Sequence, residues 1–269
     1  MRTALATRSV RAARWLHSSG NGLAEIQLPG FPGTCRFRTG SSDAKFLRIL
    51  AERGLPAEYA LPTDLQPRVI LDIGANIGAV ALALARHYPV ARLYAFEPLP
   101  ENYALLAHNV AALPQVTALA YGLGARTETR VYERSDDPRN FGGGGFYGSQ
   151  SDPERCADTL PIVAVPEALG RLGIDGVDLI KIDTEGAEHD ILTSFPEATL
   201  RSTGVIVGEL HGKLQDDALL SYLSAWFDVE RIERHGRTQW FRAMNRDRQA
   251  PRAQPRASGS LAVAVQASK

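Results

Sequence analysis

The chain has 269 residues, enough to bury one substantial core, and its Lys+Arg and Asp+Glu counts are both 30. That balance gives no electrostatic reason to expect a nucleic acid or an anionic membrane as partner, and no stretch approaches the run of about 18 apolar residues that a membrane span needs. Two cysteines, Cys35 and Cys156, are too few for a zinc cluster or a disulfide scaffold, and a cytoplasmic location is the expectation.

Residues 1–20 carry Arg2, Arg8, Arg11 and Arg14 before the first acid, Glu25, and lack a clear apolar h-region, so they read as a basic arm or surface helix. Residues 21–66 form an accessory segment. Two short edge strands flank the turn Pro29-Gly-Phe-Pro-Gly33, and Ser41 or Ser42 can cap a helix through Phe46, Leu47, Ile49 and Leu50, with Gly54 just past its end. This segment is expected to lie against the main sheet as a lid. The main domain spans 67–245. Val69 to Asp72 is its first strand, and Ile77, Val80, Ala81, Leu84 and Ala85 mark the sheet-facing side of the helix that follows. Leu93 to Glu97 and Val116 to Ala120 are the next strands, separated by a helix with Leu105, Leu106 and Val110 inward. Such alternation requires a mostly parallel sheet covered on both faces.

Thr129 to Glu133 reads as a strand, but 134–154 has no period and contains Asn140-Phe-Gly-Gly-Gly-Gly-Phe146. It is either a surface loop or a flap whose Phe141, Phe146 and Tyr147 touch a substrate. Strand patterning resumes at Pro161 to Val165. Asp178 to Asp183 and Gly204 to Leu210 are further strands, with helices near Gly186 and over Asp217 to Trp226. Phe227 to Arg234 and Trp240 to Met244 then pair antiparallel around His235-Gly-Arg237. The fold class is therefore α/β, with a seven-stranded mostly parallel sheet, helices on both faces and a terminal antiparallel hairpin. Residues 246–269 are rich in Pro, Ala, Arg, Gln and Ser and read as a flexible tail.

Two segments carry the chemistry. In Asp72-Ile-Gly-Ala-Asn-Ile-Gly78, Gly74 permits a tight turn and Gly78 close helix packing. Ala75 and Asn76 offer backbone N–H groups, and Asp72 either orients them, receives an amino group or only braces the turn. Glu97, at the end of the next strand, stands where a carboxylate holds the two hydroxyls of a ribose. Asn76 and Ala79 replace the second and third glycines of the dinucleotide fingerprint. That favours a nucleoside cofactor without pyrophosphate, a condition S-adenosylmethionine meets. In Asp183-Thr-Glu-Gly-Ala-Glu188, Asp183 and Glu185 can face the opening at the strand ends, while Glu188 is either part of the site or a helix cap. Glu209 and His211 share a strand face and can reach the same place. His211 is the leading general base, with Glu209 or Asp183 orienting it, and Asp183 alone is the next choice. One of these acids could bind a divalent ion, but oxygen ligands are too common for spacing to establish one, and no metal is predicted.

The strings VILDIGANIGAVALALAR, YAFEPLPENYALLAHN and DLIKIDTEGAEHDIL resemble the FkbM family of S-adenosylmethionine-dependent methyltransferases, over roughly Phe31 to Ala243. The resemblance implies a class I methyltransferase fold, S-adenosylmethionine as cofactor and methyl transfer to a hydroxyl of a sugar, polyketide or related natural product. It places the cofactor around Asp72, Gly74, Asn76, Gly78, Glu97 and Asn102, and the reactive side near Asp183, Glu185, Glu188, Glu209 and His211. Val165-Pro166 and Ala120-Tyr-Gly-Leu123 depart from the family pattern. The expected partner is a hydroxyl-bearing small molecule, with neither nucleic acid nor membrane, and pairing of edge strands into a homo-oligomer stays open. The alternatives are a noncatalytic binding or scaffold protein on a degenerate methyltransferase fold and, less favoured by the missing glycines, a nicotinamide-dependent oxidoreductase.

Overall fold

The computed structural model describes residues 2–55, 59–133, 139, 156–211, 215–234 and 238–249. The 134–154 segment apart from Arg139, the turn at 235–237 and the tail beyond 249 lie outside the described residues, and with them Phe141, Phe146 and Tyr147.

Helices α1 (Arg2–Thr7) and α2 (Val10–Leu16) come first, followed by strands β1 (Gly22–Ile26) and β2 (Cys35–Thr39) and helix α3 (Ser42–Arg53). The Ser41 side chain accepts from the Asp43 N–H to start α3, and Gly54, at φ +76°, ends it. β1 and β2 pair antiparallel in a sheet of their own, so they are not edges of the main sheet.

In chain order there follow β3 (Val69–Ile73), α4 (Ala79–His87), β4 (Arg92–Phe96), α5 (Pro100–Val110), β5 (Val116–Leu119), β6 (Gly122–Gly124), β7 (Glu128–Glu133), β8 (Cys156–Ala164), α6 (Val165–Leu172), β9 (Leu179–Ile182), α7 (Glu188–Leu192), α8 (Glu197–Ser202), β10 (Val205–Leu210), α9 (Asp216–Leu223), β11 (Phe227–Arg234), β12 (Thr238–Asn245) and α10 (Arg246–Gln249). The main sheet has seven strands in the order β11-β12-β10-β9-β3-β4-β5. β12 runs antiparallel to both β10 and β11, and the other pairings are parallel. This is the expected α/β architecture with its terminal hairpin. β3, the first strand of this sheet in chain order, lies between β4 and β9, so the strand order reverses there. A crevice must open at the carboxyl ends of these strands, and that is where an open α/β sheet takes its ligand.

Helix α4 is apolar all round, and Ala79 to Ala85 are all buried. The reason lies in what covers it: Leu16, Ile26, Phe37, Leu47 and Leu50 of the N-terminal segment share one core with Ala81, Leu82 and Leu84. The accessory segment is thus packed onto the α4 layer through a continuous apolar interface. On the other face, Leu71, Ile73, Ile180, Ile182, Ile206 and Phe241 pack with α6, α7 and α9.

Two features go beyond the pattern read in the sequence. A three-stranded sheet, β6-β8-β7, stands beside the crevice, and its parallel β6–β8 pair is only three residues long. The tail prediction is corrected over its first four residues, which form α10, where Arg248 pairs with Asp178 at 2.8 Å. Among the described residues no helix is long and apolar enough to cross a membrane.

Candidate active site

After β3 the chain turns at Gly74, with φ +77°. A Cβ there would lie 1.8 Å from the Asp183 carbonyl oxygen, so the turn can approach β9 only without a side chain. Gly74→Ala is expected to destabilise the fold by about 3 kcal/mol or more, because both the dihedral and the backbone contact must give. Denaturant unfolding measures this, and wild-type stability would contradict it. Gly78, at φ +85°, makes room for α5 and not for the helix that follows it, since a Cβ would meet Leu106 Cδ1 at 2.7 Å, and it is not on the cavity wall.

The turn's N–H groups are spent within the protein. Gly74 and Ala75 both donate to the Phe96 carbonyl, at 3.1 and 2.9 Å, and Asn76 donates to Glu97 Oε2 at 2.8 Å. The expectation that Ala75 and Asn76 present free N–H groups to the cofactor is therefore corrected. Ala75 is buried and contributes nothing to the cavity wall. Asp72 is likewise turned inward, 0% exposed and 3.1 Å from Lys181 Nζ. Lys181 in turn donates to the Gly74 carbonyl at 2.7 Å. Burial opposes the ammonium charge, but Asp72 and Asp183 outweigh it and push the Lys181 pKa up. Asp72 thus braces the turn through a cation that sequence reasoning missed. The signal was present, because a lysine amid apolar residues in a central parallel strand must find a partner.

Glu97 does reach the cavity wall. Its Oε2 accepts from Asn76 N and its Oε1 from Leu99 N, at 2.8 and 2.9 Å, and the Asn102 amide also bonds to it. Burial pushes its pKa up to about 7, against these donors and the charge of Lys181. The three donors leave about one of the carboxylate's four acceptor sites, which vicinal ribose hydroxyls would share. Asn76, at φ +50°, also lines the cavity, and its buried Oδ1 has no partner among the described residues. A nucleoside with vicinal hydroxyls and polar edges fits this donor and acceptor set.

The cavity measures about 620 Å³, and Gly74, Asn76, Glu97, Asn102, Asp183, Glu185 and Glu209 all line it. α3 contributes Ser42, Lys45 and Phe46 to its wall, and the small sheet contributes Tyr132 and Ile162. His211 and Glu188 are not on that wall and stand behind Asp183 and Glu185. His211 Nε2 lies 3.2 Å from Glu185 Oε2 and 3.8 Å from Asp183 Oδ1, and its Nδ1 lies 3.2 Å from Glu188 Oε1. Glu185 holds a left-handed φ of +54°, which is costly for a residue with a side chain. Glu188, 2% exposed, accepts from Thr184 N, Thr184 Oγ1 and Gly186 N, so it closes its own helix start while it faces the imidazole.

Burial works against an imidazolium, but the contacts with Glu185 and Glu188 and the charge of Asp183 push the His211 pKa up to about 11. Both ring nitrogens lie 3.2 Å from carboxylate oxygens, although the buried Nδ1 makes no well-aligned hydrogen bond, and this setting favours the imidazolium, which has no lone pair with which to accept a proton. It speaks against the expectation of His211 as general base. Burial raises Glu188 too, yet the His211 contacts prevail and hold it below the usual carboxylate range. Burial and the neighbouring Asp183 push Glu209 up to about 8. One donor atom each from Asp183, Glu209 and His211 falls within a 4.8 Å cluster, close enough to share an ion, although both ring nitrogens already face carboxylates.

The methyltransferase FkbM domain family model matches residues 72–236. Among curated proteins, the chain is 30% identical over 204 residues to methyltransferase sdnD of Sordaria araneosa, covering 64% of this chain and 76% of that protein. It is 26% identical over 214 residues to the 31-O-demethyl-FK506 methyltransferase FkbM of Streptomyces tacrolimicus, covering 69% and 81%. It is also 32% identical over 250 residues to AMB antimetabolite synthetase AmbE of Pseudomonas aeruginosa, covering 79% of this chain but only 11% of that much longer protein.

Proposed function

This chain belongs to the FkbM family of S-adenosylmethionine-dependent methyltransferases, and on that footing we propose that it methylates a hydroxyl of a small molecule, a sugar, polyketide or other natural-product intermediate. We assign residues 67–245 to the methyltransferase domain and 21–66 to an accessory segment that completes its cavity. The observation that carries the reading is that Asp183 and Glu209 line the same cavity as Glu97. The name of the Streptomyces relative, which describes an O-demethyl substrate, supports a hydroxyl acceptor.

When bound, S-adenosylmethionine supplies a methyl group on a positively charged sulfur. Glu97 would hold its ribose hydroxyls, and Gly74 and Asn76 line the same cavity. Asp183 would accept the proton of the acceptor hydroxyl. His211, as an imidazolium 3.8 Å from Asp183 Oδ1 and 3.2 Å from Glu185, fixes both carboxylates in place. Glu209 carries its own proton below about pH 8, so it can donate a hydrogen bond to the acceptor oxygen. α3 and the small sheet supply walls of the same cavity, against which an acceptor can be oriented.

Incubation with isotopically labelled S-adenosylmethionine and a product library, followed by mass spectrometry, tests the reaction. The expected product is a labelled methyl ether. Label found only on nitrogen or carbon would overturn the hydroxyl assignment.

The pH dependence of cofactor binding follows from Glu97. Its carboxylate form accepts both ribose hydroxyls, and in the free protein it loses its proton near pH 7. S-adenosylhomocysteine affinity is therefore expected to fall as pH drops below about 7, approaching tenfold per pH unit, with proton release on binding. Calorimetry in buffers of different ionisation enthalpy measures both, and a flat profile between about pH 6 and 8 would contradict it.

A further inference from the structure

A chain of four polar side chains ties the accessory segment to the cofactor end of the cavity. Asp43, on α3 and 2% exposed, accepts from Arg38 Nε at 2.7 Å and from the Arg38 backbone N at 3.1 Å. Arg38, on β2, donates from Nη2 to Asn102 Oδ1 at 2.6 Å. Asn102, on α5 and 1% exposed, bonds through its amide to the Glu97 carboxylate.

An amide side chain has two unlike ends. Only the –NH₂ end stabilises a carboxylate, and the carbonyl end turned toward it would repel it. A guanidinium offers donors alone, so it can hold the carbonyl end and no other. We propose that Arg38 is a positioning residue of the cofactor site: by pinning the Asn102 carbonyl it keeps the Asn102 amide donor on Glu97, so that Glu97 meets the ribose as a carboxylate. This rests on the reading of Glu97 as the ribose acceptor and adds a role for the accessory segment.

The other groups acting on Glu97 are the Asn76 and Leu99 N–H groups and the Lys181 ammonium, which is shared with Asp72 and the Gly74 carbonyl. Burial opposes them closely enough to leave Glu97 near neutrality at about 7, so loss of one donor changes its charge at working pH. Asp43 largely neutralises Arg38 at short range, and Arg38 therefore works through the orientation of Asn102, with little long-range field of its own.

The test is calorimetric titration of the full chain with S-adenosylhomocysteine from about pH 6 to about pH 9, with folding checked by denaturant melts. Arg38→Met is expected to bind about fivefold more weakly near pH 7, approaching tenfold near pH 6, and to return to within about threefold of wild type near pH 9, as follows if Glu97 titrates about one unit higher. Asn102→Ala should show the same profile, and adding Arg38→Met to it should cost nothing more. Arg38→Lys, which keeps a donor for the carbonyl, should restore most of the wild-type pH profile. Wild-type affinity in Arg38→Met at every pH, a loss independent of pH, or additive losses in the double variant would overturn the proposal. If Arg38→Met does not fold, the Asn102→Ala profile decides alone, and a flat loss there overturns it. A Glu97→Ala protein that binds normally would instead remove the ribose reading itself, so the two failures are distinguishable.

Discussion

Replacing Glu97 with alanine is expected to weaken S-adenosylhomocysteine binding by roughly 10-fold to 100-fold. Charge-assisted hydrogen bonding from the ribose hydroxyls to the remaining acceptor site, about 1.5–3 kcal/mol, is lost. The same change releases Asn76 N and Leu99 N, which Glu97 holds at 2.8 and 2.9 Å, so the turn bordering the cofactor loosens as well. Stability should change much less than affinity, because removing a buried carboxylate relieves a desolvation cost that already pushes its pKa to about 7. Glutamine is not a gentle substitute here. Both carboxylate oxygens accept backbone N–H groups, and a Gln amide would turn its –NH₂ toward one of them. An alanine variant that binds within about threefold of wild type contradicts the ribose assignment.

His211→Gln is expected to lose stability by about 3–5 kcal/mol, the cost of leaving a buried charge without its partner. Glu188 is 2% exposed, and Asp183 and Glu185 converge on the same ring, so removing the imidazolium leaves three carboxylates facing one another. The sign with pH is definite. A histidine whose folded pKa is raised to about 11 contributes stability fully below its ordinary 6.5, and that contribution is lost as pH rises through about 11. The variant's deficit should therefore persist at neutral pH and shrink toward about pH 4, where carboxylates take up protons. Nitrogen NMR of the wild type should show both ring nitrogens protonated at about pH 8. A variant as stable as wild type but inactive, together with a ring that titrates near its ordinary value, would restore His211 as the base.

Much of this was legible in the sequence because one-dimensional patterns report one-dimensional constraints. Apolar runs such as Val69-Ile70-Leu71 and Leu93 to Phe96 are strands buried on both faces, and they pair as their patterning requires. Glu97, Asp183, Glu185 and Glu209 stand at or near strand carboxyl ends, so their reach into the crevice follows from topology alone. Hydrogen-bond commitments do not show in such patterns. The N–H groups of Ala75 and Asn76 seem free in sequence, yet the neighbouring strand end takes both, through the Phe96 carbonyl and Glu97. Asp72 occupies the expected position but faces Lys181, since which way a carboxylate turns is decided by a cation 109 residues later in the chain. The charge of His211 depends on three acids meeting at one ring, and the role of Arg38 on contacts across β2, α3, α5 and the end of β4. The three-residue β6 is too short to show a period, and its close approach to β8 is visible only in the 2.6 Å that separates a Cβ at Gly124 from Ile162.

A crystal structure of the protein with S-adenosylhomocysteine bound tests the central geometry most directly. The expected result has both ribose hydroxyls within hydrogen-bond distance of the Glu97 carboxylate and the sulfur directed toward Asp183 and Glu209. A cofactor whose ribose lies away from Glu97, or whose sulfur points out of the cavity end formed by β9 and β10, would contradict it.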